Sequence, residues 1–195
     1  MTLAVETGAD AVGLIFAPSP RRITLSDARY IAESLPPFIT PVGVFVNPSR
    51  DEIARARDIF PDLVVQLGGE ESPSFATSVD GKVIKTIHVD PQSSDPSAVE
   101  RASNEFPRAI VLFDTKDPQR AGGTGMTFPW KVIAGIARSR QIIVAGGLTP
   151  ENVGESVRTI RPYGVDVRSG VETENRKDRA KMRAFVQAVK EADAA

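Results

Sequence analysis

The sequence of 195 residues contains no cysteine. This absence excludes disulfide bonds, thiolate metal sites and thiol nucleophiles within these residues. It also fits a protein of the cytoplasm, which is the location that we expect. The sequence has a single histidine, His88, so a metal site built from histidine ligands is not expected.

An excess of charge of one sign is also absent. The 24 basic and 25 acidic residues are interspersed and leave a net charge of −1. Nucleic-acid-binding proteins carry a basic patch or stripe, and this sequence has none. No apolar run approaches the ~20 residues that a membrane-spanning helix needs. The N-terminus lacks the basic segment of a signal peptide. We therefore expect neither nucleic acid nor a membrane as a partner.

Short apolar runs alternate with amphipathic segments along the chain. Helices are predicted at residues 24–35, near 130–137 and at 178–192, and Ser49 and Glu52 have the spacing of a capping box. The runs predicted to be strands are 10–16, 41–46, 63–67, 82–87, 108–113, 142–145 and 165–167. Continuously apolar strands separated by helices imply a parallel sheet covered on both faces. We therefore predict an α/β protein with the (β/α)8 TIM-barrel architecture.

The number of strands falls short of a complete barrel. Only about seven can be counted, whereas closure requires eight. Residues 1–8 resemble the end of a helix that Gly8 stops. We therefore expect one TIM-barrel domain over residues 1–195 that lacks its first strand at the N-terminus. An opened barrel leaves backbone groups unpaired along an edge, so we expect poor stability or self-association through that edge.

Two turns containing glycine follow the last two predicted strands. Gly146 and Gly147 follow the first of them, and Ser169 and Gly170 follow the second. Glycine lets the backbone turn sharply and lets an anion approach the N–H groups. The segment 149–152 has the residue order of a helix start, with threonine as N-cap and proline at the first helical position. Paired on consecutive strand–helix units, these turns indicate a phosphate-binding site, although either turn alone could simply redirect the chain.

Motifs along the whole chain resemble those of the phosphoribosylanthranilate isomerases of tryptophan biosynthesis. They include Gly-Ala-Asp-Ala-Val-Gly-Leu-Ile-Phe (8–16), Ser-Pro-Arg-Arg-Ile (19–23), Val-Gly-Val-Phe-Val-Asn (42–47), Val-Gln-Leu-Gly-Gly-Glu-Glu (65–71), Leu-Phe-Asp (112–114), Gly-Gly-Thr-Gly (122–125), Ala-Gly-Gly-Leu-Thr-Pro-Glu-Asn-Val (145–153) and Gly-Val-Asp-Val-Arg-Ser-Gly-Val-Glu (164–172). The resemblance implies an Amadori rearrangement without a cofactor. N-(5-phosphoribosyl)anthranilate would become 1-(2-carboxyphenylamino)-1-deoxyribulose 5-phosphate.

The resemblance also implies roles for individual residues. Asp114 corresponds to the general acid, and Arg21 to the arginine that meets the anthranilate carboxylate. Gln66 and Asp166 correspond to further substrate-binding residues. The phosphate-binding residues are Gly146, Gly147, Ser169 and Gly170. From the residues alone, Asp114 could equally be a capping carboxylate, and Asp166 could pair with Arg168. The segment 122–125 resembles a loop over the site, but a simple connection explains it equally well.

Two departures from the family pattern affect the expected chemistry. The family's first strand, of the type Lys-Ile-Cys-Gly-Ile/Leu-Thr, carries a cysteine as general base, and that strand and any cysteine are absent here. Gly68 stands where the family usually has histidine, which would open the pocket wall. These departures leave a second reading open, a phosphate-ester-binding or interaction protein without catalysis. Another phosphosugar barrel, such as an epimerase, would need metal-binding histidines that this sequence lacks.

Three further residues or pairs receive structural interpretations. His88 is predicted to be a loop histidine just past the end of a strand, rather than a replacement base. Trp130 is predicted to pack a helix. The acidic pair Glu70 and Glu71 is predicted to favour the start of the next helix through its dipole.

Overall fold

A computed structural model describes residues 2–92, 95–115 and 127–194. The helices are α1 (Thr2–Glu6), α2 (Leu25–Ser34), α3 (Arg50–Arg57), α4 (Pro73–Ser78), α5 (Pro96–Asn104), α6 (Ala134–Ser139), α7 (Val153–Ile160) and α8 (Arg179–Asp193). The strands are β1 (Ala11–Ile15), β2 (Thr40–Phe45), β3 (Val64–Leu67), β4 (Val83–Val89), β5 (Ile110–Thr115), β6 (Ile142–Val144), β7 (Gly164–Val165), β8 (Glu172–Thr173) and β9 (Arg176–Lys177). Short 3-10 helices lie at Trp130–Val132 and Ser169–Val171. The chain divides into two compact units, Met1–Thr86 and Ile87–Ala195.

The first unit is a succession of parallel strands and helices. β1 pairs with β2, β2 with β3, and β3 with β4, all in parallel. The capping boxes explain where two of its helices begin. The Thr24 and Asp27 side chains and the Ser49 and Glu52 side chains each accept the other residue's backbone N–H. At the end of α1, Gly8 has a φ of 95°, as the sequence predicts for a helix stop.

The second unit continues the strand–helix order. β5 pairs with β6 and β6 with β7 in parallel. The core of this unit is made of apolar side chains from its strands and helices, among them Val111, Phe113, Ile142, Val144 and Val153, which are at most 1% exposed. Trp130 packs against this cluster, in agreement with its predicted packing role.

A single arginine fastens the segment that precedes β5. The guanidinium of Arg140 donates to the backbone oxygens of Ser103, Phe106 and Ala109 at 2.7, 2.8 and 2.5 Å. It also donates to the Ser103 hydroxyl at 3.1 Å. Partial burial lowers the pKa of Arg140 from its usual value. The end of α5 is thereby tied to Arg140, the residue that follows α6.

Several predicted boundaries differ from the structure. α7 begins at Val153, with Asn152 as its N-cap, and not after Thr149. The reason is that the Asn152 side-chain oxygen accepts the Thr149 N–H at 2.8 Å, which closes a separate turn first. β7 ends at Val165, two residues earlier than predicted. Beyond Val165, a single hydrogen bond continues the pairing with β6, from the Asp166 N–H to the Val144 oxygen. The helix predicted near 130–137 is a 3-10 turn followed by α6.

An antiparallel hairpin, which the sequence analysis did not predict, follows β7. Glu172 and Thr173 of β8 pair with Lys177 and Arg176 of β9. The two residues between them, Glu174 and Asn175, have φ angles of 50° and 61°. Positive φ at both central residues is the signature of the tight hairpin turn that matches strand twist. Within the described ranges, no helix is both long and apolar enough to cross a membrane.

Candidate active site

Asp114 lies near the carboxyl end of β5, after three buried residues. Its side chain is half-buried, and its strand continues through Thr115. Carboxyl ends of parallel strands carry the functional groups in barrels of alternating strands and helices. The position is therefore suited to a carboxyl group that meets both protein and ligand.

Gly146 brings the next strand–helix connection against this carboxyl group. Its φ is 78° and that of Gly147 is 65°, a backbone conformation that glycine adopts without strain. A Cβ atom at Gly146 would lie 2.6 Å from Oδ1 of Asp114 and 2.3 Å from the backbone nitrogen of Thr115. Glycine is thus required for space as well as for conformation, and the Asp114 carboxyl group occupies the space of the missing side chain.

The two glycine turns that the sequence singles out touch each other. A Cβ atom at Gly170 would lie 1.9 Å from the backbone oxygen of Leu148 and 3.2 Å from Cα of Thr149. The backbone that follows β6 therefore packs directly against the backbone that follows β7. This contact places Gly170 beside the turn that begins with Gly146 and Gly147. Phosphate binding by Gly146, Gly147, Ser169 and Gly170 stays a prediction.

Backbone N–H groups are available at this meeting point. Among the residues that the structure describes, none accepts a hydrogen bond from the N–H groups of Gly146, Gly147 and Leu148. Ser169 and Gly170 open the 3-10 helix Ser169–Val171, and the first N–H groups of a helix have no partner within it. The adjacent Thr149 N–H is instead taken by the Asn152 side chain. The arrangement can bind an anion through backbone groups alone.

Asp166 lies directly after β7 and is the second carboxylate that the family resemblance places in the site. Desolvation by the surrounding protein raises the pKa of Asp166, and the neighbouring charge of Asp114 raises it further. Lys177 and Arg168 act in the opposite direction. Because Asp166 is exposed to solvent, the neighbouring charge of Asp114 contributes more to this raised pKa than desolvation does. A raised pKa means that Asp166 holds its proton to a higher pH than an ordinary aspartate does.

The alternative role for Asp166 is not realised. Asp166 and Arg168 both lie in the described range, and no ion pair joins them. The alternation on which that prediction rested ends at Val165, and Arg168 has the non-strand angles φ −117° and ψ −80°.

Arg21 and Gln66 belong to the first unit. Arg21 is exposed in the loop after β1, where its backbone N–H donates to the Ser19 hydroxyl at 3.2 Å. Gln66 is half-buried in β3, and its amide donates to the Thr86 hydroxyl on β4 at 3.2 Å. Next to β3, a Cβ atom at Gly68 would lie 3.3 Å from the Phe45 oxygen, so a larger residue there would need the backbone to shift slightly.

Glu71 does not have the role that the sequence analysis predicted. Its carboxylate is buried and lies 2.6 Å from the ammonium group of Lys85 on β4. It accepts the N–H of Asn47 at 2.8 Å and that of Gly69 at 3.0 Å. Burial alone would raise the pKa of Glu71, but the hydrogen bond from Lys85 and the backbone donors bring it below its usual value. The helix-dipole interpretation of Glu71 is therefore wrong, and α4 is capped by Ser72. A charged Lys85 within an apolar strand was the sequence signal for a buried partner.

His88 differs from its predicted position. His88 lies within β4, exposed on the strand, and not in a loop beyond its end. The described residues contain no group of histidine and acidic side chains that could hold a metal ion. The segment 122–125 lies outside the described residues, as does most of the connection that contains it.

Comparison with known proteins identifies the family to which these features belong. The profile of the family described as N-(5'phosphoribosyl)anthranilate (PRA) isomerase matches residues 1–188. An N-(5'-phosphoribosyl)anthranilate isomerase of Pelobacter propionicus is 43% identical over 192 residues, which is 97% of this chain and 89% of the relative.

Solved structures give the same result. The crystal structure of phosphoribosyl anthranilate isomerase from Thermotoga maritima has a TM-score of 0.86 and 38% identity, covering 97% of this chain and 92% of that one. A phosphoribosyl anthranilate isomerase in complex with reduced 1-(o-carboxyphenylamino)-1-deoxyribulose 5-phosphate has a TM-score of 0.82 and 36% identity, with the same coverage. The α/β class and the TIM-barrel family that the sequence predicts are confirmed.

Proposed function

Since the chain belongs to the N-(5'-phosphoribosyl)anthranilate isomerase family, we propose that it acts on N-(5'-phosphoribosyl)anthranilate in tryptophan biosynthesis. The product is 1-(2-carboxyphenylamino)-1-deoxyribulose 5-phosphate. The reaction is an aldose–ketose rearrangement that uses no cofactor. The observation that carries the assignment is the pair of close backbone contacts in the second unit, Gly146 against Asp114 and Gly170 against Leu148. They join a carboxyl group to a set of anion-binding N–H groups.

The N–H groups of Gly146, Gly147, Ser169 and Gly170 bind the phosphate. A phosphate dianion needs several donors at once, and backbone donors in fixed turns supply them without side-chain entropy. The phosphate therefore anchors the sugar so that its reacting carbons lie near the carboxyl end of β5. Anchoring of this kind holds the sugar next to the catalytic group, so that their reaction becomes effectively unimolecular.

Asp114 protonates the ring oxygen of the sugar, and the ring opens to a Schiff base. The carboxyl group must hold a proton at the start and return to that state after turnover. Asp166 lies close enough for the two charges to interact, so one proton shared by the pair is favoured over two ionised groups. Asp166 also accepts a hydrogen bond from a sugar hydroxyl, a role that its solvent-accessible side chain supports.

Arg21 and Gln66 bind the other end of the substrate. The guanidinium fork of Arg21 matches a planar carboxylate such as that of anthranilate. Gln66 retains amide donor and acceptor capacity beyond its bond to Thr86. Their support comes from the family resemblance and from their exposure or partial exposure within the first unit.

The general base is not among these 195 residues. The family resemblance assigns it to a cysteine on a strand ahead of α1, and this sequence contains no cysteine. A general acid or base typically contributes ~10²–10⁴-fold to the rate. We therefore propose that residues 1–195 form a single TIM-barrel domain, and that turnover needs a first strand in addition to the residues described here.

The test compares three proteins. The first is the chain as given, the second carries an added Lys-Ile-Cys-Gly-Ile-Thr strand ahead of Met1, and the third carries the matched Lys-Ile-Ser-Gly-Ile-Thr strand. We expect turnover only in the second, by direct assay and by complementation of a tryptophan auxotroph. Turnover by the chain as given would overturn the assignment of the base to the missing strand.

A second candidate is a phosphate-ester-binding protein without catalysis. The lack of cysteine and the glycine at position 68 favour it. Binding of a phosphate-bearing product analogue by all three proteins, with turnover by none, would support this candidate over the first.

Self-association accompanies the first proposal. In the described part of the first unit, β1 pairs with β2 and with no other strand, so its other edge offers backbone groups to a further chain. Sedimentation of the 195-residue chain should show oligomers, and the variant with the added strand should show a smaller oligomeric fraction. A monodisperse monomer without that strand would contradict this part of the proposal.

We expect the protein to act in the cytoplasm, where amino-acid biosynthesis takes place.

A further inference from the structure

One side chain of the β8–β9 hairpin, that of Lys177, contacts the turn that contains Ser169. The ammonium group of Lys177 donates to the backbone oxygen of Arg168 at 2.7 Å. The same group lies 3.1 Å from the carboxylate of Glu172, whose side chain is only 5% exposed. Lys177 is therefore held by its own hairpin partner while it contacts the residue just before Ser169.

The atom that Lys177 contacts belongs to the same peptide group as the Ser169 N–H. All peptide bonds of the described residues are trans, and in a trans peptide the C=O and N–H point in opposite directions. A cation on the Arg168 oxygen therefore sets the direction of the Ser169 N–H. It also polarises the peptide group, which makes the N–H a stronger donor.

The other glycine turn has an equivalent arrangement. The Asn152 amide donates to the Gly147 oxygen at 2.9 Å, and that oxygen shares its peptide group with the Leu148 N–H. In both turns, a side chain from the element that follows holds the carbonyl whose N–H is available. The recurrence of the same device on two independent turns argues against an incidental surface contact at Lys177.

We propose that Lys177 is a positioning residue for phosphate binding, which acts by fixing and polarising the peptide group between Arg168 and Ser169. This role rests on the proposed function, because it assumes that the Ser169 N–H meets the phosphate. Lys177 itself touches no substrate atom. The hairpin that the sequence analysis missed is the element that delivers this contact.

The hairpin supplies a matched control for this role. The ammonium group of Lys181 donates to the Glu172 oxygen at 2.8 Å, so it binds the same hairpin through a backbone carbonyl. It does not contact the peptide group of Ser169. Lys177→Met and Lys181→Met each remove one positive charge and one hydrogen bond to a backbone oxygen, and Lys177→Met also removes the ion pair with Glu172. Only Lys177→Met disturbs the proposed phosphate donor.

The experiment measures binding of inorganic phosphate to the full chain by calorimetry. We expect Lys177→Met to weaken binding about tenfold, Lys181→Met to leave it within about twofold, and Lys177→Arg to restore most of it. The amide proton and nitrogen shifts of Ser169 should move in Lys177→Met and stay unchanged in Lys181→Met. Lys177→Met also leaves the Glu172 carboxylate without its cation, so its urea midpoint should be the lower of the two. Phosphate binding is therefore compared under conditions in which both methionine variants are fully folded, which separates positioning from a loss of stability.

The outcomes distinguish this role from the proposed function. If the unmodified chain binds phosphate and the two methionine variants lose equal affinity, or none, the positioning role is wrong and the phosphate site stands. If the unmodified chain binds no phosphate, the proposed phosphate site is wrong, and the role of Lys177 falls with it.

Discussion

The ammonium group of Lys85 lies 2.6 Å from the carboxylate of Glu71, and their side chains are only 5% and 2% exposed. Charges removed from water in this way are tolerated only when each has its partner. The Glu71 carboxylate also accepts the N–H groups of Asn47 and Gly69. The pair therefore connects the loop after β2, the loop after β3, and β4.

Breaking this pair from one side should destabilise the protein strongly. We expect Lys85→Met to lower the free energy of unfolding by about 3–5 kcal/mol, because the Glu71 carboxylate would stay buried without its cation. Urea unfolding gives the value, and the control is Arg101→Met. Arg101 and Asp95 are 3.9 Å apart and mostly exposed, so this loss should be below about 1 kcal/mol. Equal losses in the two variants would show that burial does not determine the strength of the Lys85 contact.

Gly170→Ala should disrupt the phosphate site by a steric clash. The added methyl would lie 1.9 Å from the Leu148 oxygen, so the two turns would have to separate. We expect phosphate affinity to fall more than tenfold and the free energy of unfolding to fall by about 1–3 kcal/mol. Gly135→Ala in α6 is the control, because nothing lies within 4 Å of its Cβ position and alanine favours a helix. Undiminished phosphate binding by Gly170→Ala would contradict the assignment of the cradle.

Asp114→Asn tests the general acid. In the form that turns over, we expect kcat to fall ~10²–10⁴-fold, while the affinity for a phosphate-bearing product analogue changes little. The amide has nearly the same shape as the carboxyl group but cannot supply the proton. The exposed Asp62→Asn substitution provides the control and should leave both quantities unchanged. Parallel losses of turnover and of analogue binding would indicate that Asp114 is structural.

The raised pKa of Asp166 predicts how stability depends on pH. Above the ordinary aspartate value of about 4, the unfolded chain releases this proton while the folded chain retains it. The folded state then binds more protons, so the contribution of Asp166 to stability falls as pH rises toward its raised pKa. Asp166→Asn should remove that part of the slope in urea unfolding measured from about pH 4 to pH 7.

Asp114→Asn should reduce the same slope, since it removes the neighbouring charge that raises the pKa of Asp166. An Asp166→Asn slope identical to that of the unmodified chain would show that the pKa of Asp166 is not raised in the folded state.

Much of the fold follows from local signals that the sequence contains. The capping box at Ser49 forms as predicted because its hydrogen bonds involve residues only three positions apart. Buried parallel strands are continuously apolar, so the runs around β3 and β5 are recognisable without knowledge of their neighbours. The two glycine turns were also recognisable, because the backbone constraints at Gly146 belong to the residue itself.

What the sequence did not reveal depends on contacts between distant residues. Glu71 and Lys85 are 14 positions apart, and no local rule selects one buried partner from several nearby acidic residues. The β8–β9 hairpin turns at Glu174 and Asn175, without the glycine that usually indicates such a turn. The contact of Lys177 with Arg168 could not be predicted without that hairpin.

The packing of Gly146 against Asp114 has a consequence for how this sequence can change over evolutionary time. The carboxyl group occupies the space that any other residue at position 146 would fill. A mutation at position 146 would displace the Asp114 carboxyl group without changing its chemical identity. Selection for the chemistry of Asp114 therefore acts equally on Gly146, which has no functional side chain. The two positions should therefore be inherited as a pair, and the glycine should tolerate as few replacements as the acid.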